Sequence, residues 1–338
     1  MTLSPLAAAA TALLLSSAAL AQTQAYVLPP NPYETKDIAA PGAVPAGTKP
    51  TEMISFPSKL SSDTKDRLEG WLWKPAGASA SAKVPLVLVA PGHTGGGTYS
   101  NPKTQFKTLA ADLVASGVGV MLVNSFSQSR HDYVIAKYND PAFGILNGLN
   151  EDKSKRPVEA SDHLVRPYDI VGAAEAVVNG AVAWADPAKM IAVGYSHGGT
   201  AVLGAGFSNH PVNLNNPSGG GRLLKRIFAA YPGCGMDSLK NYKDSAGVVP
   251  ISLATGTADT TTPPGLPPGA GATGNCTGRY QAAEAAAAAN PSLYAIEWWA
   301  YVGATHSWEV TASTPNNAAT GDWRTKIRAF AVGLKSQS

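Results

Sequence analysis

Between Lys189 and Gly199 a short apolar run, Met190-Ile191-Ala192-Val193, leads into Gly194-Tyr195-Ser196-His197-Gly198-Gly199. This stretch constrains the fold more than any other, because Gly-x-Ser-x-Gly after a strand demands a sharp strand-to-helix turn. A residue held at such a turn has strained backbone angles, and side chains two positions to either side would strike the neighbouring strand or helix. Gly194 and Gly198 carry none, which leaves the Ser196 hydroxyl exposed above the sheet. The same turn aims the His197 backbone N–H, at a helix N-terminus, toward the place where negative charge would develop on an attacked carbonyl. Alone the pattern is weak, since five-residue Gly/Ser patterns arise readily in a chain with 34 glycines. Its weight comes from the strand before it and the partners downstream.

Strands and helices alternate around this turn. Met53-Ile54-Ser55-Phe56 and Leu68-Glu69-Gly70-Trp71-Leu72-Trp73 read as antiparallel strands ended by Lys74-Pro75. Pro85-Leu86-Val87-Leu88-Val89-Ala90 is a continuous apolar run, expected of a strand buried on both faces. Asn101-Pro102 reads as an N-cap and first helical residue, with Phe106, Leu109, Leu113 and Val114 at helical spacing and Gly117 as the stop. Val118 to Val123 is the next strand. Further helices are expected over Arg166–Trp184, from His197, over Gln281–Ala289 and over Trp323–Leu334. Strands are expected at Arg226–Tyr231, Val248–Ala254 and Tyr294–Trp299. The pattern is that of an α/β chain with a mostly parallel, doubly wound sheet and helices on both faces. Two segments fall outside it. Residues 131–165 are too long for a connecting loop and read as a lid-like insertion, while Pro211–Gly221 reads as a surface excursion. Trp71, Trp73, Trp298 and Trp299 alternate along strands and are expected in the core.

Residues 1–21 read as a cleavable export signal: an Ala/Leu-rich run from Leu6 to Leu20, then Ala19-Leu20-Ala21 as the small-x-small site before Gln22. No Lys or Arg precedes the run, and no Cys follows it to take a lipid anchor. A mature chain starting at Gln22 is expected, secreted or periplasmic and without stable membrane association. Residues 22–50, rich in Pro, Gly and Ala, read as extended, and 51–338 as one domain. With 14% charged residues and a net charge of +3, nothing argues for nucleic acid as a partner. A small-molecule substrate and a monomer are expected instead. The two cysteines, Cys234 and Cys276, fit an oxidising compartment. They are either paired, closing a loop of about 42 residues worth roughly 4 kcal/mol, or two buried thiols. The six histidines form no metal-ligand spacing, so no metal is expected.

A nucleophile at such an elbow needs an acid and a base on loops after later strands, in the chain order Ser, Asp/Glu, His. Asp259 follows the strand Ile251-Ser252-Leu253-Ala254, whereas its rivals Asp237 and Asp244 precede it. His306 follows the last expected strand and is the only histidine after position 210. In the roles chemistry assigns, His306 accepts the Ser196 proton and Asp259 fixes its tautomer. A second oxyanion donor belongs on the loop after the first buried strand, Pro91-Gly92-His93-Thr94-Gly95-Gly96-Gly97, at the backbone N–H of His93 or Thr94. A phosphate loop is excluded there, because neither Gly-Lys-Ser/Thr nor Gly-x-Gly-x-x-Gly spacing is present.

These pieces resemble the exported serine members of the dienelactone hydrolase family, within the α/β-hydrolase superfamily. The resemblance runs from about residue 66 to 335. It rests on Pro91-Gly92-His93-Thr94-Gly95-Gly96, Asn124-Ser125-Phe126 with Arg130 nearby, and Arg166-Pro167-Tyr168-Asp169. It continues through Gly194–Gly199, Tyr231-Pro232-Gly233-Cys234, Thr257-Ala258-Asp259 and Gly303-Ala304-Thr305-His306. It implies an α/β-hydrolase fold, Ser196, Asp259 and His306 as a catalytic triad, and the His93 and His197 amides as the oxyanion hole. It further implies a Cys234–Cys276 disulfide. Triad and backbone amides suffice for acyl transfer, so no cofactor is expected, and the expected reaction is ester or lactone cleavage. The family's best-known members use a cysteine where this chain has Ser196, and lack so long a lid. A peptidase or amidase would use the same triad, and a non-catalytic binding protein would need it broken. Arg130 is the candidate for a substrate carboxylate, Tyr195 a second candidate substrate contact, and Arg166, at a helix start, is expected to be structural.

Overall fold

The computed structural model describes residues 49–59, 67–93, 95–127, 165–208, 210–214, 216, 219–233, 248–261 and 296–337. The export signal, most of the 22–50 segment, the lid, Arg130, both cysteines, Asp237, Asp244 and the expected helix at 281–289 lie outside these residues.

Among the described residues eight strands form one sheet: β1 (Glu52–Pro57), β2 (Arg67–Trp73), β3 (Val84–Ala90), β4 (Gly119–Asn124), β5 (Ala185–Tyr195), β6 (Ile227–Ala230), β7 (Ile251–Gly256) and β8 (Ile296–Tyr301), in spatial order β1-β2-β4-β3-β5-β6-β7-β8. β1 pairs antiparallel with β2 and β2 with β4; every other pairing is parallel. Among the described residues the helices of ten residues or more are α1 (Thr104–Ala115), α2 (Arg166–Val178), α3 (His197–Gly206) and α4 (Thr314–Gly333).

The apolar runs are unbroken because both faces of the sheet are covered. Along β3, Leu86 and Leu88 pack with Ile170 and Val171 of α2 and with Val202 and Leu203 of α3. Val87 and Val89 point the other way, into a cluster with Phe106, Leu109 and Leu113 of α1 and with Trp323 and Ile327 of α4. Trp71 and Trp73 are buried in that second cluster. An isolated sheet alternates apolar and polar residues; here the period of two is hidden, since each face has its own core.

Three helix boundaries differ from the sequence reading. α1 begins at Thr104, with Lys103 and not Asn101 at its N-cap. Asn101 instead closes a tight turn, its N–H donating to Thr98 O at 3.0 Å and to Thr98 Oγ1 at 3.1 Å, and Pro102 bridges to Gly97. Asn-Pro serves turns as well as helix starts, and the Thr98 hydroxyl decides for the turn. α2 ends at Val178, well short of Trp184. Gly180 takes φ 85°, and the N–H groups of Gly180 and Ala181 donate back to Val177 O and Ala176 O. That is a Schellman closure, which favours glycine at the left-handed position. α4 begins well before Trp323, because Ser313 caps it by accepting Asn316 N–H at 3.3 Å and Pro315 suits its first turn. Within 211–221, Leu214 is 63% exposed as a surface excursion requires, and Asn213 anchors the segment from inside. Asn213, 1% exposed, donates to Ala205 O and Phe207 O and accepts Gly221 N–H, each at 2.8 Å.

Candidate active site

The parallel strands all end on one edge, and the loops leaving β3, β5, β7 and β8 there carry the chemistry-bearing side chains. Ser196 leaves β5 at φ 52°, ψ −120°, a conformation of the kind that costs roughly 1–3 kcal/mol and persists only where the surroundings impose it. The surroundings do impose it. A Cβ on Gly194 would lie 2.1 Å from Gly198 O, and one on Gly198 2.2 Å from Ala90 O. Ser196 N–H donates to Ala230 O at 2.9 Å, and the Thr200 hydroxyl accepts Gly233 N–H at 2.8 Å, so the next strand's loop holds the elbow from the far side.

His306 bridges Ser196 and Asp259. Its Nε2 lies 2.8 Å from Ser196 Oγ and its Nδ1 2.9 Å from Asp259 Oδ2. Nδ1 donates to the carboxylate, which leaves the Nε2 lone pair to accept the serine hydroxyl. The Asp259 side chain is fully buried, that of His306 16% exposed, and Asp259 Oδ1 accepts Thr261 N–H at 2.8 Å. Both carboxylate oxygens are thereby directed, and the Oδ2 lobe is fixed on the imidazole.

All three non-glycine residues with positive φ among the described residues flank this site: Ser196, Tyr231 (35°) and Ser307 (56°). Such clustering of strain is typical of functional sites. The Tyr231 ring lies edge-on to the His306 imidazole, centroids 4.7 Å apart, and packs on Trp308 at 4.6 Å. The His306 loop is clamped by Asn316, fully buried on the first turn of α4. Its carboxamide oxygen accepts Thr305 N–H at 2.8 Å, while its nitrogen donates to Thr305 Oγ1 at 3.0 Å and Thr311 O at 2.8 Å. Asn316→Ala would strand the buried Thr305 amide. Its expected cost is about 1–3 kcal/mol of stability, read by thermal melts, with a fall in kcat as the loop loosens. Unchanged melting and unchanged kcat would refute the clamp.

The loop after β3 lies against the elbow: a Cβ on Gly92 would sit 3.6 Å from Ser196 Cβ and 3.4 Å from Tyr195 O. Gly95 N–H returns to Gly92 O at 3.0 Å, folding the loop around His93, whose ring meets that of His197 at 5.6 Å. Thr94, the alternative donor, is outside the described residues. His197 is the first residue of α3, so its backbone N–H has no partner within the helix. Arg166 is fully buried beside both loops. Its guanidinium donates to His197 Nδ1 at 2.7 Å, to Pro91 O at 2.7 Å and to Ser125 Oγ at 3.3 Å, over the Phe126 ring. Arg166 and Tyr231 lie in motifs that carry the family resemblance, but the motifs assign them no place at the site, and Asn316 lies in none; the signal for all three positions is tertiary.

Tyr195, 5% exposed, packs on Phe106 and Tyr231. Burial pushes its hydroxyl far above the usual phenol range, with Glu309 adding to the rise and Arg324 opposing it. It borders a cavity of about 880 Å³ between α1 and α4, whose lining also includes Lys103, Leu109, Trp308, Glu309 and Arg324 but none of Ser196, Asp259 and His306. The cavity is therefore a neighbour of the Ser196–His306–Asp259 cluster and not part of it. Glu309 is half-buried overall, yet its Oε2 is shut off from solvent with no hydrogen-bond partner. Burial pushes its carboxyl up; the Tyr231 hydroxyl, its own backbone amide and nearby His306 oppose this. A folded value above the unfolded one means that the folded chain binds the extra proton in that window. Stability is therefore lost as pH rises through it. Glu309→Gln should raise Tm near neutral pH, the gain fading as pH falls toward about 4. A Tm difference independent of pH would count against this.

Among the described residues no group of three or more His, Cys, Asp or Glu side chains is placed to hold a metal ion. Among the same residues, no helix is long and apolar enough to cross a membrane.

The sheet order, the elbow and the chain order of the site define an α/β-hydrolase fold. Solved structures agree. A Klebsiella pneumoniae protein provisionally assigned as a dienelactone hydrolase is 14% identical with a TM-score of 0.51, the match covering 83% of this chain and 99% of that one. Esterase 2 of Thermogutta terrifontis, phosphorylated by paraoxon, is 15% identical with a TM-score of 0.52 over 86% and 95% of the two chains. A puromycin-hydrolyzing peptidase of Mycobacterium tuberculosis is 14% identical with a TM-score of 0.52. That match covers 82% of this chain and 39% of the peptidase. No protein-family model matches the chain, and no curated protein matches its sequence. The likeness is one of fold: an α/β-hydrolase architecture shared with esterases, a peptidase and a provisionally assigned dienelactone hydrolase.

Proposed function

We propose that the protein is an exported serine hydrolase that cleaves carboxylic ester or lactone bonds through an acyl-Ser196 intermediate. The observation that carries the reading is the His306 imidazole, held between Ser196 Oγ at 2.8 Å and Asp259 Oδ2 at 2.9 Å. In this reading His306 Nε2 takes the hydroxyl proton as Ser196 attacks the carbonyl carbon, and Asp259 stabilises the imidazolium. The carbonyl oxygen gathers negative charge facing the His93 and His197 amides. His306 then returns the proton to the departing alcohol. Water, deprotonated by the same imidazole, attacks the acyl carbon, and the imidazolium returns that proton to Ser196 Oγ as its bond to the acyl group breaks and the carboxylic acid leaves. Side chains and backbone amides suffice for this acyl transfer, so the mechanism calls on no cofactor.

Export is part of the proposal: cleavage after Ala21 would release a soluble, monomeric chain starting at Gln22. Intact-mass measurement of the exported fraction reads that start directly.

The test of the activity is turnover of p-nitrophenyl acetate through octanoate, beside a matched aminoacyl p-nitroanilide, with fluorophosphonate labelling mapped to the Ser196 peptide. Chain-length-dependent ester turnover and a label on Ser196 are expected. Anilide turnover with comparable kcat/KM would move the assignment to a peptidase or amidase. Neither turnover nor label would leave the fold serving as a binding scaffold.

A further inference from the structure

We infer that Arg166 is a positioning residue for the oxyanion hole, setting the spacing between the His93 and His197 amides. The inference rests on the serine hydrolase reading. Arg166 is the first residue of α2, yet its guanidinium reaches away from the helix to the segments that follow three adjacent strands. Ser125 Oγ follows β4, Pro91 O follows β3, and the His197 ring follows the β5 elbow. Two of those three segments carry the amides in question. Pro91 is two residues from His93, and the His197 ring hangs from the residue whose own N–H is the second donor.

The side chain is matched to this task. A guanidinium is planar and permanently charged, and it fans five N–H donors in fixed directions, so acceptors bound to different nitrogens are held at fixed mutual positions. The contacts at 2.7 Å to His197 Nδ1 and Pro91 O come from separate terminal nitrogens, and Nε serves Ser125. The Phe126 ring, its centroid 5.1 Å from the guanidinium carbon, covers one face. Because arginine can only donate, His197 Nδ1 must accept, which sets this ring as the Nε2–H tautomer. With no exposure to solvent, Arg166 is not exchanging these acceptors for water. Oxyanion donors work only at about 2.7–3.1 Å from the developing charge. A device that ties the two loops together at that edge of the sheet therefore acts on the transition state far more than on the bound ester.

A purely structural arginine would lower the amount of folded protein and leave each folded molecule fully active. The test separates these. Arg166→Lys and Arg166→Gln are made, and kcat and KM for a p-nitrophenyl ester are measured per active site titrated with fluorophosphonate. Affinity for an alkyl boronic acid, whose tetrahedral serine adduct presents an oxygen to the same amides, is measured beside them. The expected result is a fall in kcat of about a hundredfold, the scale of a 1 Å misplacement. KM should stay within about threefold, with boronic acid affinity falling in parallel with kcat. Folded variants whose kcat and boronic acid affinity stay near those of the wild type overturn the inference. Should neither variant fold, His197→Leu carries the test, since it keeps the backbone N–H and removes one of the guanidinium's acceptors. A fall of about tenfold in kcat and boronic acid affinity is then expected, and no change in either overturns the role. Wild-type protein that neither turns over ester nor takes the label overturns the hydrolase reading itself, and the role of Arg166 falls with it.

Discussion

Ser196→Ala is expected to lower kcat on a p-nitrophenyl ester by about 10⁴–10⁶-fold with KM nearly unchanged, because the residues of such a triad act as one unit. In the proposed reaction the hydroxyl contributes little to holding a bound ester and everything to forming the acyl-enzyme. Removing it leaves His306 with no proton to take and Asp259 with no imidazolium to stabilise. What remains is whatever the oxyanion amides and substrate positioning contribute, roughly 10³-fold over water. The unit character makes a sharper prediction: Ser196→Ala combined with Asp259→Asn should be no slower than Ser196→Ala alone. Alanine keeps the strained φ of 52° at the elbow, so Tm should shift little. Steady-state kinetics of the two variants, with a melt of each, read all of this. Equal rates for wild type and Ser196→Ala would remove Ser196 as the nucleophile and bring the binding-scaffold reading forward.

The sequence makes the sheet legible where burial is symmetric. Val87 and Leu88 point to opposite faces and are equally apolar, so β3 stands out as an unbroken run. It misleads where local chemistry serves two structures. Asn101-Pro102 looks like a helix start, but only the placement of Thr98 shows that a turn has used it. The first turns of α4 were invisible for a different reason. Asn316, Asn317 and Thr320 break the apolar periodicity, and the polarity of Asn316 and Thr320 belongs to the loop they hold; Thr320 Oγ1, for instance, donates to Trp308 O at 3.1 Å.

The site divides along the same line. Ser196, Asp259 and His306 could be picked from chain order alone, and the structure brings their side chains into hydrogen-bond contact. Arg166 could not be read this way. Its partner Pro91 is 75 residues away, and nothing local tells an arginine that caps a helix from one that reaches across three strand ends. Its acceptors are backbone and ring atoms whose positions exist only once the sheet has formed.

Gly198→Ala tests the elbow from the packing side, and here the expected effect falls on folding as well as on chemistry. The new Cβ would lie 2.2 Å from Ala90 O, 2.5 Å from Pro91 O and 2.6 Å from Ala90 C. All three are backbone atoms, so no side chain can swing away to make room. Either the end of β3 or the start of α3 must move. The first drags the Pro91–His93 loop from the elbow, and the second lifts the His197 amide. Overpacking of this kind usually costs 1–3 kcal/mol. A clash with the backbone of a central strand belongs at or above the top of that range, about 4 kcal/mol, out of a total stability of about 5–15 kcal/mol. A Tm lowered by on the order of 10 °C, or no folded protein at all, is the expected result. Any folded fraction should label slowly with fluorophosphonate, because its oxyanion amides no longer converge. Gly333→Ala is the control: beyond its own helical turn and chain neighbours, no described atom lies within 4 Å of its Cβ position. Its backbone is already helical, at φ −57°, ψ −29°, so alanine there should be neutral or stabilising by about 0.5–1 kcal/mol. A Gly198→Ala protein that melts with the control and labels at the wild-type rate would mean that the elbow has slack. The close approach of β3 and α3 would then not be what holds Ser196 in its strained conformation.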